Sequence, residues 1–336
     1  MKQAIKNMRD GLVNLMSGLG TEKSKREHNQ FQFNLTMNQM ELSAAYHDNW
    51  IAAAIVDYPA EDMTREWRTL KCDDAEEIRQ AEDKFSVPEK VQEALVWSRL
   101  YGGSAILMIT DQDLTQPLNV NKIKKGSLKR LMVFDRWTIS ANGLNNNDIL
   151  AENFLMPEYY TLEGGSQQVH WSHFARFTGR QVPLQIRRTL QGWGDSELRK
   201  CMEDLKDTVA AKGGISELMQ EANIDVISRD GLEEALTNDE DEAGLIKRYA
   251  MFGQMKSMIN LSVLDKETET LDRLTLNLSG VGQVLETLMT WTAGCADIPV
   301  TRLFGTSAKG MNATGEGDMN NYYSSIASKQ TRQINP

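Results

Sequence analysis

Ile5, Met8, Leu12, Val13 and Met16 recur at helical spacing, so residues 3–16 read as a short amphipathic helix. A stretch rich in Gly, Lys, Glu and Asn follows over 17–30 and reads as a flexible link. Residues 49–67 carry Trp50, Ile51, Ile55 and Val56, then Tyr58-Pro59, then a polar helix start. A further amphipathic helix over 88–100 ends at Tyr101-Gly102-Gly103-Ser104, where the glycines suit a helix C-cap. Two short apolar runs, 105–109 and 131–134, read as buried strands.

The second half is organised by two long helices. Asp195 or Ser196 can cap the first, in which Leu198, Cys201, Met202, Leu205, Val209, Ile215, Leu218 and Met219 keep helical spacing. It reaches about residue 221, which makes it about 37 Å long at the usual rise. Gly213-Gly214 sit inside it, cost about 1 kcal/mol each relative to Ala, and predict a kink or a close helix crossing. The second helix runs over 279–296 through Val281, Val284, Leu285, Leu288 and Met289, and stops before Pro299. Between them lie a strand at 224–227, a helix over 231–258, and strands at 261–264 and 271–276. That order describes a small α+β insert carried between two helices. Its short strands need pairing partners, expected from neighbouring subunits.

The most informative stretch is 298–323, an apolar segment that passes through Pro299 into a loop and then a new polar helix. Over 305–317 it holds four glycines, two threonines and a serine. Such a loop can approach another backbone or a phosphate chain closely, because few side chains intervene. Composition alone equally allows a plain surface loop between two helices.

Composition narrows the class without deciding it. With 336 residues, 25% charged and 40% hydrophobic, the chain is ordinary globular protein with room for two or three packed units. Lys plus Arg total 37 against 47 Asp plus Glu, a formal net charge of -10. That balance argues against a tight grip on nucleic acid, which comes from basic clusters that neutralise phosphates. It permits a pore through which DNA slides, since a repulsive wall prevents sticking. Cys72, Cys201 and Cys295 are far apart and odd in number, so neither a disulfide framework nor a zinc site is implied. The N-terminus has no signal-peptide core, no run of eighteen apolar residues occurs, and a cytoplasmic life is expected.

Catalytic signatures are sparse. There is no G-x-x-x-x-G-K-[ST] loop for ATP and no G-x-S-x-G nucleophile elbow. Gly102-Gly103 follow a helix, whereas a dinucleotide turn precedes one. His170 and His173 are three apart, a spacing that suits a metal on a helix, but 169–179 reads as strand or broken strand. No Cys or carboxylate lies beside them to complete a ligand set. The acidic run 239–242 reads as a solvated loop or helix start rather than a magnesium site. No metal and no cofactor are expected.

Four strings together resemble tailed-phage portal proteins, in the branch related to Mu-like and HK97-type portals. They are Ile55-Val56-Asp57-Tyr58-Pro59-Ala60 with its continuation to Trp67, the Tyr-Gly-Gly-Ser at 101–104, Gly192-Trp193-Gly194-Asp195-Ser196-Glu197-Leu198, and 298–323. The resemblance implies an α+β portal fold, with an α/β wing domain and a two-helix stem carrying a small α+β clip. Its expected division is an N-terminal helix and link over 1–30 and a wing over 31–195. Stem helices follow at 196–222 and 278–298, with a clip over 223–277. The tunnel loop and the start of a long helix occupy 299–336. Residues 330–336 resemble the middle of that helix, so a crown and the end of the wing are expected to follow.

The implied function is passage, not catalysis. Subunits form a ring, usually dodecameric, at one capsid vertex, made in the host cytoplasm and used in the virion. Double-stranded DNA passes through it during packaging and ejection. Ser307, Lys309, Asn312 and Thr314 are the expected phosphate contacts on the tunnel loop, where Lys309 is the only charge before Glu316. Implied partners are the terminase large subunit, head-tail adaptor proteins and the major capsid protein, with no membrane. The alternative is a nucleotide-degrading antidefence phosphoesterase, because the same module occurs in some anti-CBASS phosphoesterase fusions. That chemistry needs two His-x-Thr/Ser motifs, one His as base and one as acid, and only His170-Trp171-Ser172 fits here.

Overall fold

The computed structural model describes residues 39–141, 143–145, 148–162, 165, 167–220, 223–230, 244–251, 253, 269–275, 279–305 and 315–334. The helix expected over 3–16 and the link over 17–30 lie outside the described residues. The chain forms two compact units, Met1–Arg199 and Lys200–Pro336.

In the first unit, α1 (Gln39–Asp48) leads into α2 (Trp50–Arg65). Asn49 starts α2, its side chain accepting from the N–H of Ile51 at 2.9 Å and of Ala52 at 3.4 Å. The helix buries Ile51, Ala52, Ile55, Val56, Ala60 and Met63. Pro59 lies inside it and has no N–H for the carbonyl of Ile55. A buried arginine of α4 (Val87–Tyr101) fills the gap: Arg99 donates to Ile55 O at 2.8 Å and to Val56 O at 3.0 Å. The same guanidinium lies 3.9 Å from Glu197. The helix expected over 88–100 is α4.

Between them, α3 (Ala75–Phe85) turns the half-buried Ala75, Ile78 and Phe85 to the same face as its one buried residue, Glu82. Polar contacts add to that face, with Trp67 Nε1 donating to Glu82 at 3.2 Å and Arg68 Nε at 2.9 Å.

The expected strands are present as β1 (Gly103–Ile109) and β2 (Arg130–Asp135). They form an antiparallel sheet in the order β2-β1-β6, with β6 at Phe174–Thr178. Register pairs Ile106 with Val133 on one side and with Ala175 on the other. A second sheet joins β3 (Ile139–Ala141), β4 (Tyr159–Leu162) and β5 (Gln168–His170). Ala105, Leu107, Ile139, Tyr160, Val169, Phe174 and Trp193 form the core between these strands. A short helix, α5 (Leu184–Thr189), precedes Trp193.

The glycines of 101–104 meet those of 192–198 here. Gly102 ends α4 at φ +85, its N–H bonded to Ser98 O at 2.8 Å. A methyl on Gly102 would sit 2.6 Å from Gly194 O, and one on Gly103 would sit 2.4 Å from the Trp193 ring. Gly179 is as tightly placed, 2.5 Å from Ser98 O and 2.6 Å from Asp195 O by the same measure. Arg176 lies over the Trp193 ring at 4.0 Å. Backbones thus approach where no side chain fits.

The long helix is α6 (Glu197–Gln220), 24 residues or about 36 Å. Of the two expected caps, Ser196 serves, its Oγ accepting from Leu198 N at 3.1 Å. Asp195 instead accepts from Ser196 N at 2.9 Å and from Arg199 at 3.2 Å. The close helix crossing expected at Gly213-Gly214 is not found among the described residues. α6 is unbroken there, and a methyl on either glycine would meet nothing within 4 Å.

In the second unit, β7 (Asn223–Arg229) pairs antiparallel with β8 (Glu269–Thr275). These two strands find each other within one chain. Residues 244–251 are helical, and Arg248 donates to the buried Glu269 at 2.6 Å. The rest of the helix expected over 231–258, apart from 253, and the strand expected at 261–264 lie outside the described residues. α7 (Val281–Ala296), α8 (Val300–Phe304) and α9 (Glu316–Gln333) complete the unit.

Candidate channel loop and its supports

Ser307, Lys309, Asn312 and Thr314 all lie outside the described residues, so the loop is defined here by its two ends. α8 stops at Gly305 and α9 starts at Gly315, each at φ +66. Only glycine takes that conformation without strain, so the chain turns freely at both ends. At Gly305 there is open space where a side chain would stand. Glu316 and Asp318 occupy the first turn of α9, where carboxylates complement the helix dipole. Leu303 on one side and Tyr322 and Ile326 on the other are buried and anchor the flanks.

The flanks stand on a hairpin of α6 and α7. The hydroxyls of Thr208 and Thr292 lie 2.7 Å apart and both residues are buried. The Cys295 thiol donates to Lys200 O at 3.0 Å, and burial pushes its pKa up, so it stays a thiol. Lys200 Nζ reaches Asp297 at 2.6 Å. Asp297 itself is left-handed, φ 56, and closes α7 through its N–H to Gly294 O at 3.2 Å. Pro299 follows it. The sharp turn that re-aims the chain toward the loop is therefore fixed by ion pair, cap and proline together.

The outside of α7 differs from its inside. Thr292, Ala293 and Ala296 are buried, whereas Val284, Leu288 and Trp291 fall at i, i+4 and i+7 along another face. Val284 is 58% exposed and Trp291 is 64% exposed. Trp291 is absent from the sequence-based expectations, although its spacing from Val284 and Leu288 is a signal for a second apolar face.

The two histidines serve the fold of the first unit. A short 3-10 turn over Trp171–His173 breaks the strand between β5 and β6. His170 Nδ1 lies 2.8 Å from Ser172 Oγ, and His173 Nε2 lies 2.9 Å from Gln116 O with the ring fully buried. Burial, then the neighbouring His173, lowers the pKa of His170. Among the described residues no group of His, Cys, Asp and Glu could hold a metal ion, and no helix is long and apolar enough to cross a membrane.

The architecture, sheets in one unit and a two-helix hairpin with a paired insert in the other, is similar to that of a chain in solved gene-transfer-agent particles. The neck of a native particle, computed with C12 symmetry, matches with a TM-score of 0.56 at 14% identity, covering 86% of this chain and 77% of that one. The fold is a portal fold. The chain belongs to the phage portal protein family, whose sequence pattern matches residues 40–336. An anti-CBASS protein Acb1 from Sphingomonas paeninsulae is 36% identical over 99% of this chain, which spans only 55% of that relative's length. An uncharacterised protein from Haemophilus influenzae is 32% identical over 98% of this chain and 75% of its own length.

Proposed function

We propose that this chain is a portal subunit that assembles into a ring around a DNA channel at one capsid vertex. The observation that carries the reading is the apolar face of α7 through Val284, Leu288 and Trp291, where Val284 and Trp291 are exposed and Leu288 is half-buried. A ring neighbour would cover it in every copy, because a head-to-tail contact that closes repeats the same burial around the axis. The C12 symmetry of the similar neck makes twelve copies the proposed number. In this reading 31–195 is the wing, 196–222 and 278–298 the stem, 223–277 the clip, and 299–336 the tunnel loop and following helix. The clip docks the terminase large subunit and later the head-tail adaptors, and the wing meets the major capsid protein. Assembly takes place in the host cytoplasm. Ser307, Lys309, Asn312 and Thr314 line the narrowest point and touch phosphates without reading sequence.

Negative-stain images of the purified protein should show end-on rings with a central hole. Trp291→Ser should leave a folded chain and abolish those rings. Lys309→Glu should leave rings of normal appearance but impair DNA packaging, more at low salt than at high. Rings that persist with Trp291→Ser would remove the assembly argument, and packaging unchanged by Lys309→Glu would remove the channel role.

The longer relatives are named anti-CBASS proteins, which supports one other reading, an antidefence role, for which the resemblance implies phosphoesterase chemistry. Its chemistry needs two histidines free to exchange protons. The one matching motif here, His170-Trp171-Ser172, has its histidine engaged by its own serine in a turn. Turnover of a cyclic dinucleotide by this chain as a monomer would favour that reading over the portal.

A further inference from the structure

The connection between β1 and β2 reverses the charge of its surroundings. From 114 to 134 there is no Asp or Glu, but Lys122, Lys124, Lys125, Lys129 and Arg130 fall within nine positions. Removing these five from the 37 bases leaves 32 against 47 acids, so the rest of the chain is strongly acidic. All five are exposed. Lys125 is paired with Glu77 of α3 at 2.8 Å, with Asp74 also near it, and Lys129 Nζ is turned back onto Gly126 O. Lys122, Lys124 and Arg130 make no ion pair among the described residues.

The loop is held in shape before any partner arrives. Gln112 and Asn119 exchange two hydrogen bonds of 2.9 Å across its base. Ser127 donates to Asp111 at 3.1 Å and accepts from Lys124 N at 3.1 Å, and Ser172 accepts from Leu118 N at 2.7 Å. Asp113 commits its carboxylate to Thr115. Gly126, at φ +90, leaves open backbone beside the lysines. A pre-ordered basic loop loses little entropy on binding a polyanion.

We propose that this loop binds the phosphate backbone of duplex DNA outside the channel loop, as a second contact made by the first unit. The proposal rests on the portal reading, which brings duplex DNA to the particle. No aromatic residue lies between 114 and 133, so bases have nothing to stack on and the backbone of a duplex is the fitting form.

The test measures binding of a short random-sequence duplex to the full chain across a salt series, with rings imaged in the same samples. The combined Lys122→Glu and Lys124→Glu variant should lose about tenfold or more in affinity at low salt. Its log-log salt slope should fall by about two, one for each phosphate that is no longer neutralised. Its unfolding temperature should match the parent, since both side chains are exposed. Three results overturn the proposal: no duplex binding by the parent at low salt, equal binding by the variant, or equal competition by polyglutamate, which marks a docking site for acidic protein instead. Absence of rings in the parent, with binding still dependent on Lys122 and Lys124, would instead count against the portal reading alone.

Discussion

The glycines at the junction of the first unit and those of α6 and α8 in the second stand in opposite surroundings. Gly102, Gly103, Gly179 and Gly194 are packed so closely that an added methyl would lie under 3 Å from backbone or the Trp193 ring. Gly213, Gly214 and Gly305 have nothing within 4 Å. The first set lets three segments share one small volume, and its cost in chain entropy is offset by what packs against it. The second set carries the same cost with no compensating contact among the described residues, which points to close approach by another molecule or to freedom of movement. The junction glycines are used within one chain; those of α6 are left open among the described residues.

The sharpest break in this contrast is Gly179→Ala. With backbone of both Ser98 and Asp195 in the way, nothing flexible can yield, and about 3 kcal/mol of stability should go. Thermal unfolding should fall by about 10 °C. A fall of only a degree or two would mean that the packing at this junction is loose. Arg99→Met comes next, at about 2 kcal/mol, because it keeps the length of the side chain but strands the carbonyls of Ile55 and Val56 beside Pro59. Adding Pro59→Ala should recover part of that loss, since the restored N–H can bond to Ile55 O. A double-mutant cycle with no recovery would show that Arg99 does not serve the proline.

The smallest effect should come from Gly213→Ala with Gly214→Ala. In the dissociated chain α6 gains up to about 1 kcal/mol per site from helix propensity, readable in chemical denaturation. In rings the sign should reverse if a neighbouring backbone uses that open space, so assembly weakens while the monomer strengthens. Equal stabilisation in both states would make these glycines idle.

Several elements were legible because one face of each is apolar. α4, α6 and α7 carry a helical period, and β1 and β2 are short apolar runs, whereas the helix start read after Pro59 is the middle of α2, which runs on through the proline. The C-cap at Gly102 was also readable, since a glycine after a helical period has few other uses there. α3 went unread although Ala75, Ile78 and Phe85 keep helical spacing, because Glu82 interrupts that stripe and is buried only through its bonds to Trp67 and Arg68. β3, β4 and β5 are three or four residues long, too short for a period to show. The basic loop was hidden by summing charge over the whole chain, where 47 acids mask five clustered bases.

The sequence by itself determined which segments carry a clear helical or strand period, where α4 and α7 stop, and that a glycine-rich stretch separates the last two helices. Those are local properties, set by period, capping residue and proline. Tertiary structure alone decided that Tyr101-Gly102-Gly103-Ser104 and the stretch 192–198 are two halves of one junction. It alone decided that Arg99 completes a helix interrupted by Pro59, reaching carbonyls 43 and 44 positions away. It alone decided that Gly213 and Gly214 face open space. A glycine reads the same whether crowded or exposed, and an arginine reads the same whether solvated or buried. What distinguishes them is the company brought by distant parts of the chain, and no local pattern encodes that.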